Sequence, residues 1–221
     1  GLSARIDGVA LPDWAQWRDS LFAFTTEPAT IVINAAAFGA LDVPRTRQDL
    51  IAVLRANPDL FRGKVGTYDV RTSGLGYLFA TQDARATETY WRLMEVMGSL
   101  DAQLYCCSGD MIDDLSTGRI LVAYNVLGSY ARARAEAADT ITVILPSDFP
   151  TTMMRSALVS REARAPITGE AFVRHLIALQ SDGTQGAFPL PPLQGGADDT
   201  QSSIGLGPAL MTYLDRLKRQ T

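Results

Sequence analysis

The sequence predicts an α/β layered protein with a parallel or mixed sheet, and three observations carry that prediction. Apolar, β-branched runs recur at residues 30–34, 119–125 and 140–145. Amphipathic stretches of about ten residues with helical spacing separate the strand-like runs. Several strand-like runs pass into helices through polar turns rather than tight hairpins, the pattern of a layered sheet covered by helices.

The chain has 221 residues, 47% of them hydrophobic, enough for a sizeable core in one domain or two small lobes. A net charge of −4 sets it apart from nucleic-acid binders, which display a basic face, so no nucleic-acid partner is expected. No apolar run reaches the ~18 residues of a membrane span, and no basic-then-apolar leader opens the chain. A soluble chain is expected, and its start at Gly1 without Met fits a mature form or a fragment. Cys106 and Cys107 are adjacent. Neighbouring residues point their Cβ atoms apart, so the pair is expected to stay unbridged, buried and inert at a strand end.

Taken in order, Pro12 and Asp13 suit the start of a short helix carrying Trp14 and Trp17, ended by Glu27 and Pro28. Residues 30–34 read as a strand buried on both sides. Residues 44–54 read as a capped helix with Leu50, Val53 and Leu54 on its inner face. Residues 64–70 alternate as a strand does, and an apolar run with helical character follows from Leu75 as far as Ala80. A helix over 87–97 turns Tyr90, Leu93, Met94 and Met97 inward, and residues 102–105 form a short strand. A helix from Ser108 is closed by Gly118, and the strand 119–125 leads to a helix from Gly128. The strand 140–145 stops at Pro146, and residues 154–159 suggest another. Residues 167–179 form a helix bearing the single histidine, His175. Residues 181–208 lack periodicity and read as irregular, and 208–219 as a last helix.

In a parallel α/β sheet, ligands sit beyond the carboxyl ends of the strands. The turns expected there are polar. They carry Arg71, Thr72, Ser73 and Gly74, then Ser108 and Gly109, then Asn125, Ser129 and Tyr130, then Ser147 and Asp148. The first of these, a strand feeding a hydroxyl- and glycine-rich turn into a helix, suits an anion, because the first N–H groups of a helix lack intrahelical partners. On its own the same turn reads as an ordinary N-cap. Four polar turns together shift the reading toward a small anion or polyol.

Enzymatic readings find little support. The sequence has no Gly-x-Ser-x-Gly elbow and no phosphate loop, and Gly74-x-Gly76 lacks the third glycine of a dinucleotide fingerprint. His175 reads as a helix residue rather than a base. Asp110, Asp113 and Asp114 read as a cap and a solvated helix face. No catalytic residue, metal ligand or cofactor is assigned, and the chain is not expected to be an enzyme.

The segments GKVGTYDVRTSGLGYLFATQDA, YWRLMEVMG, SGDMIDDLSTGRILVAYNVLGSYA and ILPSDFPTTMMRSALVSREARAP, in that order, resemble the extracellular solute-binding proteins of ABC transporters. Within them the likeness is to the ferric-iron, phosphoglycerate and sugar-phosphate subgroup of the type 2 periplasmic binding fold. The resemblance implies two α/β lobes joined by hinge strands and closing on a ligand in the cleft. Residues 1–34 would be a remnant of the first lobe with its first hinge strand, 35–138 a complete second lobe, and 139–221 the return strand and C-terminal helices of the first. Much of the first lobe, including a serine-rich ligand turn, would then lie outside this chain. Iron-binding relatives use two neighbouring tyrosines near the position of Ser129 and Tyr130, and here one of the two is serine. The resemblance thus implies a periplasmic, monomeric protein binding a phosphate- or carboxylate-bearing solute through Arg71, Thr72, Ser73, Gly74, Asn125, Ser129, Tyr130 and Asp148. Its partner would be an inner-membrane ABC permease. The alternatives are a ligand-sensing domain coupled to a two-component histidine kinase, or a ferric-iron binder.

Overall fold

The structure is a computed structural model that describes residues 3–137, 139–181 and 193. The expected irregular stretch at 181–208 and the expected last helix at 208–219 lie almost wholly outside the described residues. The chain divides into two units, one formed by Pro28–Thr151 and one by the described residues before and after it.

The Pro28–Thr151 unit is built on a five-stranded mixed sheet. β1 (Gln16–Trp17) belongs to the other unit, and β2 (Leu21–Asn34) supplies its second half here. β3 (Val65–Tyr68), β4 (Gln103–Tyr105), β5 (Val122–Leu127) and β6 (Ile141–Ile144) complete the sheet. β2 pairs antiparallel with β5 on one side and β6 on the other, whereas β3 runs parallel to both β4 and β5. The order is therefore β6-β2-β5-β3-β4. The β-branched run at 30–34 is the buried centre of this sheet, and Ile31, Val32 and Ile33 are almost wholly enclosed.

Helices cover it. They are α1 (Arg47–Ala56), the short α2 (Pro58–Phe61), α3 (Gly74–Ala86), α4 (Thr89–Ser99), α5 (Ser108–Ser116) and α6 (Gly128–Ala137), and all but α2 follow the predicted periodicity. Leu50, Leu54, Phe61, Leu93, Val96 and Met97 close the core against Ile31, Ile33, Val122 and Tyr124. α1 starts with a capping box. The Thr46 side chain accepts from the Asp49 N–H, and the Asp49 carboxylate accepts from the Thr46 N–H at 2.9 Å. Hydrogen bonds from the backbone of Arg45 and from Thr46 hold the Asp49 carboxyl below the usual carboxylate range. A depressed folded pKa contributes stability that is complete above the unfolded value of about 3.9 and is lost as pH falls through the folded one. Helicity of α1 is thus expected to weaken below pH about 4. Asp49→Asn should remove that acid-side slope in a circular-dichroism pH titration.

The other unit contains β1, the first half of β2, β7 (Thr152–Ala157) and α7 (Pro166–Ser181). Ile6, Phe22, Val159, Val173 and Ile177 form its core. The expected helix around Trp14 and Trp17 is here a single 3-10 turn, Asp13–Ala15, followed by strand. Arg18 and Asp19 adopt left-handed backbone angles that reverse the chain from β1 into β2. Glu27 and Pro28 end nothing, because both lie inside β2. The reason lies in which face is buried. Ala23, Thr25, Glu27 and Ala29 point inward at period two, whereas Phe24 is only half-buried. Polar inward positions hid the alternation, and the buried Glu27 carboxylate is matched by Arg155 of β7. Among the described residues, no helix is long and apolar enough to cross a membrane.

Candidate functional site

Three parallel strands of the Pro28–Thr151 unit end at one edge, and each hands over to a helix there. β3 leads to α3, β4 to α5 and β5 to α6. The turn after β3 is tied to the end of β4 by the Asp69 N–H, which donates to the Tyr105 carbonyl at 2.8 Å. Farther along, the Tyr68 and Ser108 hydroxyls meet at 2.5 Å in a buried contact. Three helix N-termini therefore share one sheet edge, and their unpaired N–H groups and dipoles favour negative charge there.

The turn itself is organised by Asp69. Its carbonyl accepts from the N–H groups of Thr72 and Ser73. Its carboxylate accepts from the Arg71 guanidinium through two bonds of 2.9 Å each. That pairing holds the Asp69 carboxyl below its ordinary range and raises Arg71. Arg71 is thus an exposed partner of Asp69, and the turn carries no uncompensated side-chain charge of its own. Ser73 caps α3: its Oγ accepts from the Gly76 N–H at 3.1 Å, and the residue is 6% exposed. A hydroxyl that accepts in this way still has its own hydrogen to donate. Thr72 and Gly74 are exposed beside it. Gly76 has to be glycine, since a Cβ there would stand 2.2 Å from the Tyr68 Cβ. That close approach seats the first turn of α3 directly on β3.

Asn125 occupies a special position. The register of β5 against β2 jumps between Thr30 and Ile31, whose partners are Val126 and Tyr124, so Asn125 is the extra residue of a bulge. Its φ of 64° lies in the left-handed region that asparagine tolerates better than most residues. The bulge turns its amide inward to donate to Asp83 Oδ2 at 2.8 Å. Asn125→Val is expected to be less stable than Asn125→Gly by about 1–2 kcal/mol, because a β-branched residue is strained at positive φ. Chemical denaturation of the two variants checks this.

Asn125 belongs to a buried polar cluster that sequence reasoning missed. Arg47 and Asp83 are both 0% exposed and lie 3.4 Å apart. Asp83 Oδ1 accepts from Arg47 and from Thr151 Oγ1, and Oδ2 from Tyr124 and Asn125. Arg47 also donates to the Tyr124 hydroxyl at 2.6 Å, to Asp148 at 3.0 Å and to the Phe149 carbonyl at 2.8 Å. Its guanidinium stacks 3.6 Å from the centre of the Phe149 ring. Burial works against the Arg47 charge, but Tyr124, Asp83 and Asp148 outweigh it and leave its pKa raised. Burial, reinforced by Asp83, pushes the Tyr124 hydroxyl well above its ordinary value. Asp148, expected at the site from its turn position alone, here anchors Arg47. Ser129 and Tyr130 sit in the first turn of α6, Ser129 half-buried and Tyr130 48% exposed. Gly128, which opens that helix, packs against the Pro28 ring.

The expected unbridged, buried cysteine pair is overturned. Cys106 and Cys107 are bonded to each other and both are exposed, at the turn from β4 into α5.

No protein-family profile and no curated protein sequence matches the chain. Solved structures do. The crystal structure of the substrate-binding protein of the ABC transporter from Agrobacterium tumefaciens is similar over 100% of this chain and 71% of that one, with 26% identity and a TM-score of 0.85. Its likeness to the whole described chain decides the fold. The fold is that of the type 2 periplasmic substrate-binding proteins of ABC transporters. Iron-bound HitA from Pseudomonas aeruginosa shares it, with 16% identity and a TM-score of 0.66 over 99% of this chain and 76% of that one. So does AfuA from Actinobacillus pleuropneumoniae with exogenous fructose-6-phosphate bound, with 14% identity and a TM-score of 0.62 over 80% of this chain and 57% of that one. These neighbours are binding and transport proteins.

Proposed function

We propose that this chain is the periplasmic solute-binding component of an ABC importer and captures a small phosphate- or carboxylate-bearing solute. The observation that carries the reading is the edge at which β3, β4 and β5 deliver α3, α5 and α6, N-termini first. Thr72, Ser73 and Gly74 would donate to the anion, with Ser129 and Tyr130 from the first turn of α6 shaping its surroundings. Arg71, Asn125 and Asp148 serve this site indirectly, as the groups that hold its turns in place. Neutral donors suit a reversible carrier, since an anion held by backbone N–H groups can be released without parting from a buried cation. The partner that receives the solute is a permease of the inner membrane. AfuA, with its bound sugar phosphate, supports the solute class, and HitA, with its iron, supplies the competing reading.

Titration calorimetry with fructose-6-phosphate, fructose and ferric citrate tests this, on the unaltered chain and on Thr72→Glu. The expected result is saturable one-to-one binding of the phosphorylated sugar and none of fructose. Thr72→Glu should weaken that binding at least tenfold by placing a carboxylate against the anion. Its melting temperature should hold or rise, because an acid near a helix N-terminus is stabilising. Heat from ferric citrate alone, or sugar-phosphate binding indifferent to Thr72→Glu, would refute the assignment.

A further inference from the structure

The cysteine pair carries chemistry that solute capture does not use. Cys106, Cys107 and Asp110 offer three ligand atoms that all lie within 4.8 Å of one another, and all three residues are exposed. Their supports are fixed on either side. Tyr105, just before the pair, donates its hydroxyl to Asp114 at 2.8 Å, and Ser108, just after it, is held by Tyr68. Asp113 and Asp114 are already matched by Arg134 and Arg119, which leaves Asp110 as the carboxylate facing the sulfurs.

We propose that Cys106, Cys107 and Asp110 form a reduction-gated site for a thiophilic divalent cation of the zinc or cadmium kind. While the sulfurs are bonded to each other they are no thiolate ligands. A dithiol or phosphine reductant supplies two electrons, the S–S bond breaks, and two protons complete the thiols. The cation then displaces both thiol protons and bonds to two thiolates and one carboxylate oxygen, with a fourth position left for water. The distances suit it. Tetrahedral zinc, with metal–sulfur bonds of about 2.3 Å and metal–oxygen bonds of about 2.0 Å, sets sulfur and oxygen about 3.5 Å apart. Cys106 Sγ and Asp110 Oδ2 are already 3.7 Å apart. Freed of their bond, the sulfurs need to part to about 3.8 Å, a side-chain rotation at an exposed position. Two thiolates select zinc, cadmium and similar cations over magnesium or calcium. The N-terminus of α5, which begins at Ser108, offsets part of the negative charge gathered there. The site stands on its own geometry and does not depend on what the solute is.

The test is cadmium chloride titrated into the full chain, as purified and after reduction with the reductant removed. Calorimetry and the thiolate-to-cadmium ultraviolet band are the readouts. One cadmium per chain after reduction and none before is the expected result, with two titratable thiols appearing on reduction. Asp110→Asn should weaken binding about tenfold and Cys106→Ser by more. The inference is overturned if the reduced chain takes up no cadmium, if the untreated chain binds it equally, or if a Cys106→Ser, Cys107→Ser double variant does.

Discussion

Asp83→Asn is expected to cost the Pro28–Thr151 unit about 3–5 kcal/mol, the scale for breaking one side of a buried ion pair. The replacement has the same shape, so the loss is electrostatic. All four partners of Asp83 are donors: Arg47 and Thr151 on one oxygen, Tyr124 and Asn125 on the other. An amide nitrogen on either side must confront the guanidinium or the Asn125 amide, donor against donor. Arg47 would keep Asp148 but lose its fully buried counter-charge. A double-mutant cycle with Arg47→Met should show coupling of more than about 1 kcal/mol, because the pair loses less when removed together than its members do singly. Urea unfolding followed by circular dichroism measures both. The cluster joins α1, α3, the β5 bulge and the segment ending at Thr151, so its loss should also loosen the site edge.

Gly76→Ala is expected to destabilise the protein while leaving every hydrogen-bonding side chain intact. Its Cβ would fall 2.2 Å from the Tyr68 Cβ and 2.8 Å from the Tyr68 Cγ. Both belong to the rigid root of a side chain on β3, so the first turn of α3 has to lift. Overpacking of this kind costs about 1–3 kcal/mol. For a chain of this size that is a fall in melting temperature of very roughly 2–12 °C. The lift also moves Ser73 and the N–H groups of Gly74 and Leu75, so binding of fructose-6-phosphate should be lost. Gly74→Ala is the control. Nothing lies within 4 Å of a Cβ placed there, and stability should be nearly unchanged.

Much of the fold was legible in the sequence because its signals were local. The buried run at 30–34, the capped helix at 44–54, and the Gly118 helix stop at φ 75° each depend on a few neighbouring residues. The first half of β2 was not legible, since its inward face carries Thr25 and Glu27, and that alternation makes chemical sense only once Arg155 is brought alongside. Arg47 and Asp83 stand 36 residues apart, and lone charges on amphipathic helices read as surface. Their burial is decided by Tyr124 and Thr151, which only the folded sheet brings near. The Asn125 bulge leaves no trace in hydropathy, because one extra residue shifts register without changing composition. The polar turn at Thr72 and Ser73 reads in the sequence as a cap or as an anion site, and the cap is what the structure shows. What the sequence could not show was that Arg71 is occupied by Asp69, which moves the positive character of the edge from a side chain to helix ends.

The central claim is that this chain carries a small anionic solute, and native mass spectrometry of the protein as purified, set beside its denatured mass, tests it most directly. The account predicts a mass excess in the native spectrum that vanishes on denaturation and matches one small phosphorylated or carboxylated molecule, or one that appears on adding fructose-6-phosphate. An excess equal to a single iron ion, unchanged by added sugar phosphate, would contradict it.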